Sequence, residues 1–264
     1  MLLRVSAAAG AQAKQSAIKL SSRIVVERLC MSIALIALQT TNSCWTDSVA
    51  QVITFGSDDA QKCQLALIVL KYISDGVDTH VFFNAITKHQ IETYVRENLD
   101  AVLTFLTQIL LTRQQNTLPR QCYLEALSAA KSWCTFSTLT FVPNESFVQL
   151  LFMLIEGDGE LFGKAVGVLK TLLNASKYAK ALDHSSEQEA FSSIPEGDRQ
   201  FLQSIVVYFQ RQRENYLAEL RKPFNEDDDE QSPFARKLCS LLTCLCANYE
   251  LLLIPRSEEA SALF

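Results

Sequence analysis

From Arg23 to Gln39 the chain is apolar apart from Glu27, Arg28 and Ser32. So narrow a polar stripe at helical period predicts a helix covered on most of its circumference by other helices. After a turn at Thr40-Thr41-Asn42-Ser43, Trp45, Val49, Val52 and Ile53 fall three and four residues apart, which is one helical face and the second half of a hairpin. Asp59 then precedes an apolar helix over residues 62–74. Ile91, Tyr94, Val95, Leu99, Val102, Leu103, Leu106 and Leu110 mark the buried stripe of a helix over 90–111. Pro119 suits the first turn of a helix ending near Cys134, and Asn144 is a candidate cap for one ending at Ile155. Asp158-Gly159 turns into a helix over 160–173, in which Leu161, Phe162, Ala165, Val166, Leu169, Leu172 and Leu173 keep the three-four rhythm. A helix over 198–220 begins apolar, turns charged at Arg211 and is stopped by Pro223. A last helix, 232–253, places Leu238, Leu241, Leu242, Leu245, Tyr249 and Leu252 inward. No alternating strand of convincing length appears.

The first helices of these pairs begin near residues 23, 60, 119, 159 and 233, and the shorter steps, about 37 and about 40, match the period of HEAT and armadillo arrays. The longer steps require insertions, placed at 75–89 and 175–197. The expected fold is therefore all-α, an α-α superhelix of HEAT/armadillo-like type, in which stacked pairs share one core. Residues 23–255 form the solenoid of about five pairs, residues 1–22 read as the end of an upstream repeat or a flexible segment, and residues 256–264 as a tail or the start of another helix.

Composition narrows the function. With 48% hydrophobic residues but only 8 Gly and 6 Pro in 264, a many-stranded protein lacks its turns. The formal charge of −5, without a Lys/Arg stripe interleaved with aromatics, disfavours direct nucleic-acid binding. The longest apolar run, 33–38, is far short of the roughly 20 residues that span a bilayer, so no membrane partner is expected. Arg4, Lys14 and Lys19, with no acid before Glu27, faintly resemble a presequence, but an amphipathic repeat end accounts for them equally well.

Nothing in the sequence assembles a catalytic, cofactor or metal site. Gly157, Gly159 and Gly163 follow a helix, whereas a dinucleotide fingerprint follows a strand. Ser128 and Lys131 have S-x-x-K spacing without companion motifs and read as surface positions on a helix. His80, His89 and His184 stand apart from Cys or carboxylates at ligand spacing. The cysteines in apolar runs, Cys30, Cys63, Cys122, Cys134, Cys239 and Cys246, read as reduced core thiols, with Cys239 and Cys246 sharing the apolar face and Cys244 pointing elsewhere. The acidic run Glu226, Asp227, Asp228, Asp229 and Glu230 is a negative loop that steers a basic partner or is simply solvated.

The stretch 23–39, followed by Trp45 opening the next helix, resembles the early repeats of the importin-β (karyopherin-β) superfamily. Residues 67–73, residues 122–133 with their Ser-Trp ending, and Glu160-Leu161-Phe162 are similar to the branch of importin thirteen and the transportin of SR-rich splicing factors, of which the chain resembles part of the N-terminal half. The resemblance implies a non-enzymatic receptor without cofactor that shuttles between cytoplasm and nucleus, with protein cargo, the small GTPase Ran and nucleoporins as partners. It also implies that the second helices line the concave face. Their polar positions, Asp47, Gln51, Glu92, Arg96, Asp100, Gln149, Arg211 and Glu214, are then the partner-binding candidates, together with residues 226–230. A HEAT scaffold or adaptor outside transport is the alternative.

Overall fold

The computed structural model describes residues 23–79, 85–115, 117–136, 145–155, 159–175, 196–221, 239–244 and 247. Among them there is no strand, and the fold is all-α of the HEAT-like helix-repeat type. The helices are α1 (residues 23–40), α2 (Ser48–Gly56), α3 (Ala60–Thr79), α4 (Ala85–Leu111), α5 (Arg120–Cys134), α6 (Glu145–Ile155), α7 (Gly159–Asn174), α8 (Glu196–Leu220) and residues 239–244 (α9). The chain divides into two compact units, at Ile91 and Glu92 within α4.

In the first unit, α1 buries Cys30, Ala34, Ala37 and Leu38, and α3 packs Cys63, Ala66, Leu67, Leu70 and Ile73 into the same core, with α2 against α3 through Val49 and Val52. The small side chains of α1 allow a close approach: the Cys30 thiol lies 4.0 Å from the Leu65 carbonyl. The turn after α1 closes with the backbone N–H groups of Ser43, Cys44 and Trp45 all donating to the Thr40 carbonyl. Asp59 caps α3, its Oδ1 accepting from the N–H groups of Gln61 and Lys62 at 2.8 and 2.9 Å. Thr41, in the turn, is 3% exposed, and its Oγ1 finds no hydrogen-bond partner among the described residues.

Three expectations need correction here. α1 is not covered on most sides: Val25, Leu29, Ile33 and Ile36 form an exposed apolar stripe, and only the stripe of small residues beside it is buried. Trp45 lies ahead of α2, half-buried in the turn, so the helix starts three residues later than its face suggested. The insertion expected at 75–89 is largely helix, because α3 runs on to Thr79 and α4 already begins at Ala85. Ile73 and Val77 are both buried and continue the α3 stripe through Asp75-Gly76.

In the second unit, Val95, Leu99, Val102, Leu103, Leu106 and Leu110 of α4 are buried as the pattern required, Tyr94 only in part. Pro119 stands just before α5 with φ −57° and ψ 144°, extended as a residue flanking a helix start should be, and its carbonyl accepts from the Cys122 N–H. α5 packs on α7, α6 on α7, and α8 on α6. Among the described helices α5 thus stacks on α7 and α6 on α8, the kind of alternate contact that helix-pair repeats make. Every α7 position assigned to the stripe, from Leu161 to Leu173, is buried. The α6 to α8 packing includes stacked rings, Phe152 and Tyr208, with centroids 4.8 Å apart.

Near the C-terminus the helical phase differs from the expected one. Leu241 and Cys244 are buried while Cys239 is exposed and Leu242 is 37% exposed. The Cys244 thiol turns inward because the end of α7 offers it acceptors, the Asn174 Oδ1 at 3.2 Å and the Lys170 carbonyl at 4.0 Å. Cys246, Leu238, Leu245, Tyr249, Leu252 and the insertion at 176–195 lie outside the described residues.

Candidate partner-binding surface

The sequence candidates on α2, α4, α6 and α8 face solvent. Gln51, Arg96, Asp100, Gln149, Arg211 and Glu214 are exposed, as is Asp47 before α2, while Glu92 is half-buried. Residues 226–230 lie outside the described residues.

Asp47 and Gln51 are tied to each other by hydrogen bonds. The Gln51 amide Nε2 donates to both carboxylate oxygens of Asp47 at 2.9 Å, and the Trp45 indole Nε1 donates to Gln51 Oε1 at 3.0 Å. Gln51 is thereby a bridge that holds the tryptophan against the first turn of α2. Glu92, Arg96 and Asp100 share a face of α4 by their spacing of four, and Arg211 and Glu214 share one of α8 by a spacing of three. Alternating sign on one helical face presents donors and acceptors together, which suits a polar protein surface better than a uniform polyanion.

The groups that would do chemistry are engaged otherwise. Among the described residues, no three His, Cys, Asp or Glu come together as a metal site, and no helix is long and apolar enough to cross a membrane. Burial pushes the Cys134 thiol up to about 12, and burial, with the Glu27 carboxylate adding to it, raises that of Cys30. Both are poor thiolates and hence poor nucleophiles or metal ligands. Ser128 is half-buried rather than a surface residue, and Lys131 is not its partner. The Lys164 ammonium, from α7, donates to Ser128 Oγ at 2.6 Å, and the Ser128 hydroxyl donates to the Leu124 carbonyl at 2.8 Å. The Ser128 hydroxyl proton is thus directed at a backbone carbonyl and not at a general base, so the serine is not activated for attack. That contact joins residues 36 apart in sequence, so spacing within one helix gave no sign of it.

What the arrangement offers is therefore mixed-charge helical surface on stacked pairs, with no reaction centre among the described residues. No curated protein matches the chain. Residues 22–169, more than half of its 264, match the family model described as exportin 1-like protein. The chain belongs to the exportin 1-like family, within the importin-β superfamily of HEAT-type proteins.

Proposed function

We propose that this chain is a section of a nuclear transport receptor that binds protein cargo on the exposed polar positions of α2, α4, α6 and α8, with Ran in its GTP form coupled to that binding. The observation that carries the reading is the match of residues 22–169 to the exportin 1-like family. The solvent-facing candidates on α4, α6 and α8 support it, since they lie on elements that stacking leaves open on one side. The receptor shuttles between cytoplasm and nucleus, and its nearest branch is that of importin thirteen and the SR-protein transportin.

The α1 stripe supports the further reading that α1 receives a neighbouring helix on its exposed side. Val25, Leu29 and Ile36 are 57, 59 and 53% exposed, which is costly for a helix facing water but ordinary for one that receives a neighbouring repeat.

Coupling means that each ligand changes the other's affinity by the same factor, about 5- to 150-fold in typical allosteric proteins. Retention of the chain on immobilised Ran, loaded with GTP or GDP, tests this directly. Preference for the GTP form, altered by Arg96→Glu or Arg211→Glu, is the expected result. Equal or no retention on both forms refutes the coupling and leaves a HEAT adaptor without a transport role.

A further inference from the structure

The exposed face of α7 carries a row of cations that the transport reading does not use. Lys164 reaches α5, where its ammonium donates to Ser128 Oγ at 2.6 Å. Lys170 reaches α9, where its ammonium donates to Ser240 Oγ at 2.7 Å. Between them, Lys131 leans from α5 over the helix, its Cδ 3.8 Å from where a Cβ on Gly167 would stand. None of the three forms an ion pair among the described residues, whereas Arg120 nearby is matched by Glu160 at 3.3 Å. An ammonium has three donors, so among the described residues Lys164 and Lys170 each keep two after their serine contact, and the contact holds each head in place. Gly163, Gly167, Ser128, Ser132 and Thr171, all part-exposed, keep the surface between the lysines low.

We propose that this α5–α7–α9 face is a docking site for an acidic peptide segment of a partner protein. Charge complementarity selects the class: three cations that form no ion pair among the described residues lie along one face of α5 and α7 in a chain of net charge −5. A short acidic segment senses only the local patch, because charges beyond about 8 Å are screened at physiological salt. A long polyanion meets the net negative charge of the whole chain as well. Nucleic acid is further disfavoured because the aromatics of α5 and α7, Tyr123, Trp133 and Phe162, are buried and give bases no ring to stack on. Low relief between the lysines lets an extended backbone approach closely enough for its carboxylates to meet the free donors. This inference does not rest on the transport reading and is tested without Ran or cargo.

The test is fluorescence anisotropy of a labelled peptide of alternating Glu and Asp, about ten residues long, titrated with the full chain. Saturable binding that weakens steeply with added salt is expected. Lys131→Gln, Lys164→Gln and Lys170→Gln should each weaken it about threefold, and the three together about thirtyfold, as separate near-surface charges do. Arginine at the same positions retains binding, and Lys62→Gln, on α3, leaves it unchanged. Lys131 is exposed and makes no hydrogen bond among the described residues, so its single variant keeps the test sound if the triple variant fails to fold. Absence of saturable binding, or a folded Lys131→Gln variant that binds as tightly as wild type, overturns the proposal. So does tighter binding of polyuridylate than of the peptide, lost in the same variants.

Discussion

Thr41 and Thr107 are the same residue type at similar burial, 3% and 7% exposed, yet replacing each by valine should move stability in opposite directions. Thr107 Oγ1, within α4, donates to the Leu103 carbonyl at 2.7 Å, while Thr41 Oγ1 has no hydrogen-bond partner among the described residues. A buried hydroxyl without a partner costs about 1–3 kcal/mol relative to water. Valine has nearly the same shape and the same β-branching, so Thr41→Val removes that cost without leaving a cavity and buries a methyl group instead. The expected gain is about 1 kcal/mol, the low end, because the native turn relaxes around the hydroxyl to some degree. Thr107→Val forfeits a made hydrogen bond worth about 1 kcal/mol, partly offset by the added apolar burial, for an expected net loss of about 0.5 kcal/mol. Urea unfolding followed by far-UV circular dichroism, with variants compared at equal m-value, measures both. Destabilisation by Thr41→Val of 0.5 kcal/mol or more, in the sense of about one typical surface substitution, would refute the reasoning, as would equal shifts of both variants in the same direction.

Asp59→Ala should cost about 1 kcal/mol by removing the cap that receives the Gln61 and Lys62 N–H groups, read in the same urea series. Thiol labelling of the native chain at pH 8 should modify the exposed Cys44 and Cys239 quickly and leave Cys30, Cys63, Cys122 and Cys134 intact. Rapid labelling of Cys134 would contradict its burial. The Cys134 thiol is held near 12 against an ordinary value of 9.0, so between those pH values the unfolded chain loses the proton and the folded one keeps it. Its contribution to stability is present below about pH 9 and falls by about 1.4 kcal/mol per pH unit above it, a slope that Cys134→Ala should reduce in alkaline urea titrations. Replacing Val25, Leu29 and Ile36 together by glutamine should change the midpoint of this chain by little, since all three side chains are already half in water.

Helical period carried most of the fold. The α7 stripe and nearly all of the α4 stripe are buried as their spacing required, because a side chain every three or four residues has one face to go to. Where reading failed, a local signal was outvoted by packing. Asp75-Gly76 resembles a turn, but burying Val77 below Ile73 is worth more than the helical cost of one glycine. Cys239 and Cys244 exchanged places because the acceptors that draw in Cys244 belong to α7, about 70 residues earlier. Exposure of the described candidate positions, Glu92 apart, was legible from amphipathicity alone. The Trp45–Gln51–Asp47 bridge and the Lys164–Ser128 contact were not, since each depends on side-chain reach between elements or across a turn.

The ring stack between α6 and α8 has a mechanical consequence. In the second unit α5 packs on α7, whereas α8 meets α6 with the rings of Phe152 and Tyr208 lying 15° from parallel. Offset-stacked rings keep most of their attraction as one slides over the other, while interdigitated aliphatic side chains must climb out of their neighbours' gaps. Strain applied between α6 and α8 is therefore expected to be taken up first as slip at the rings.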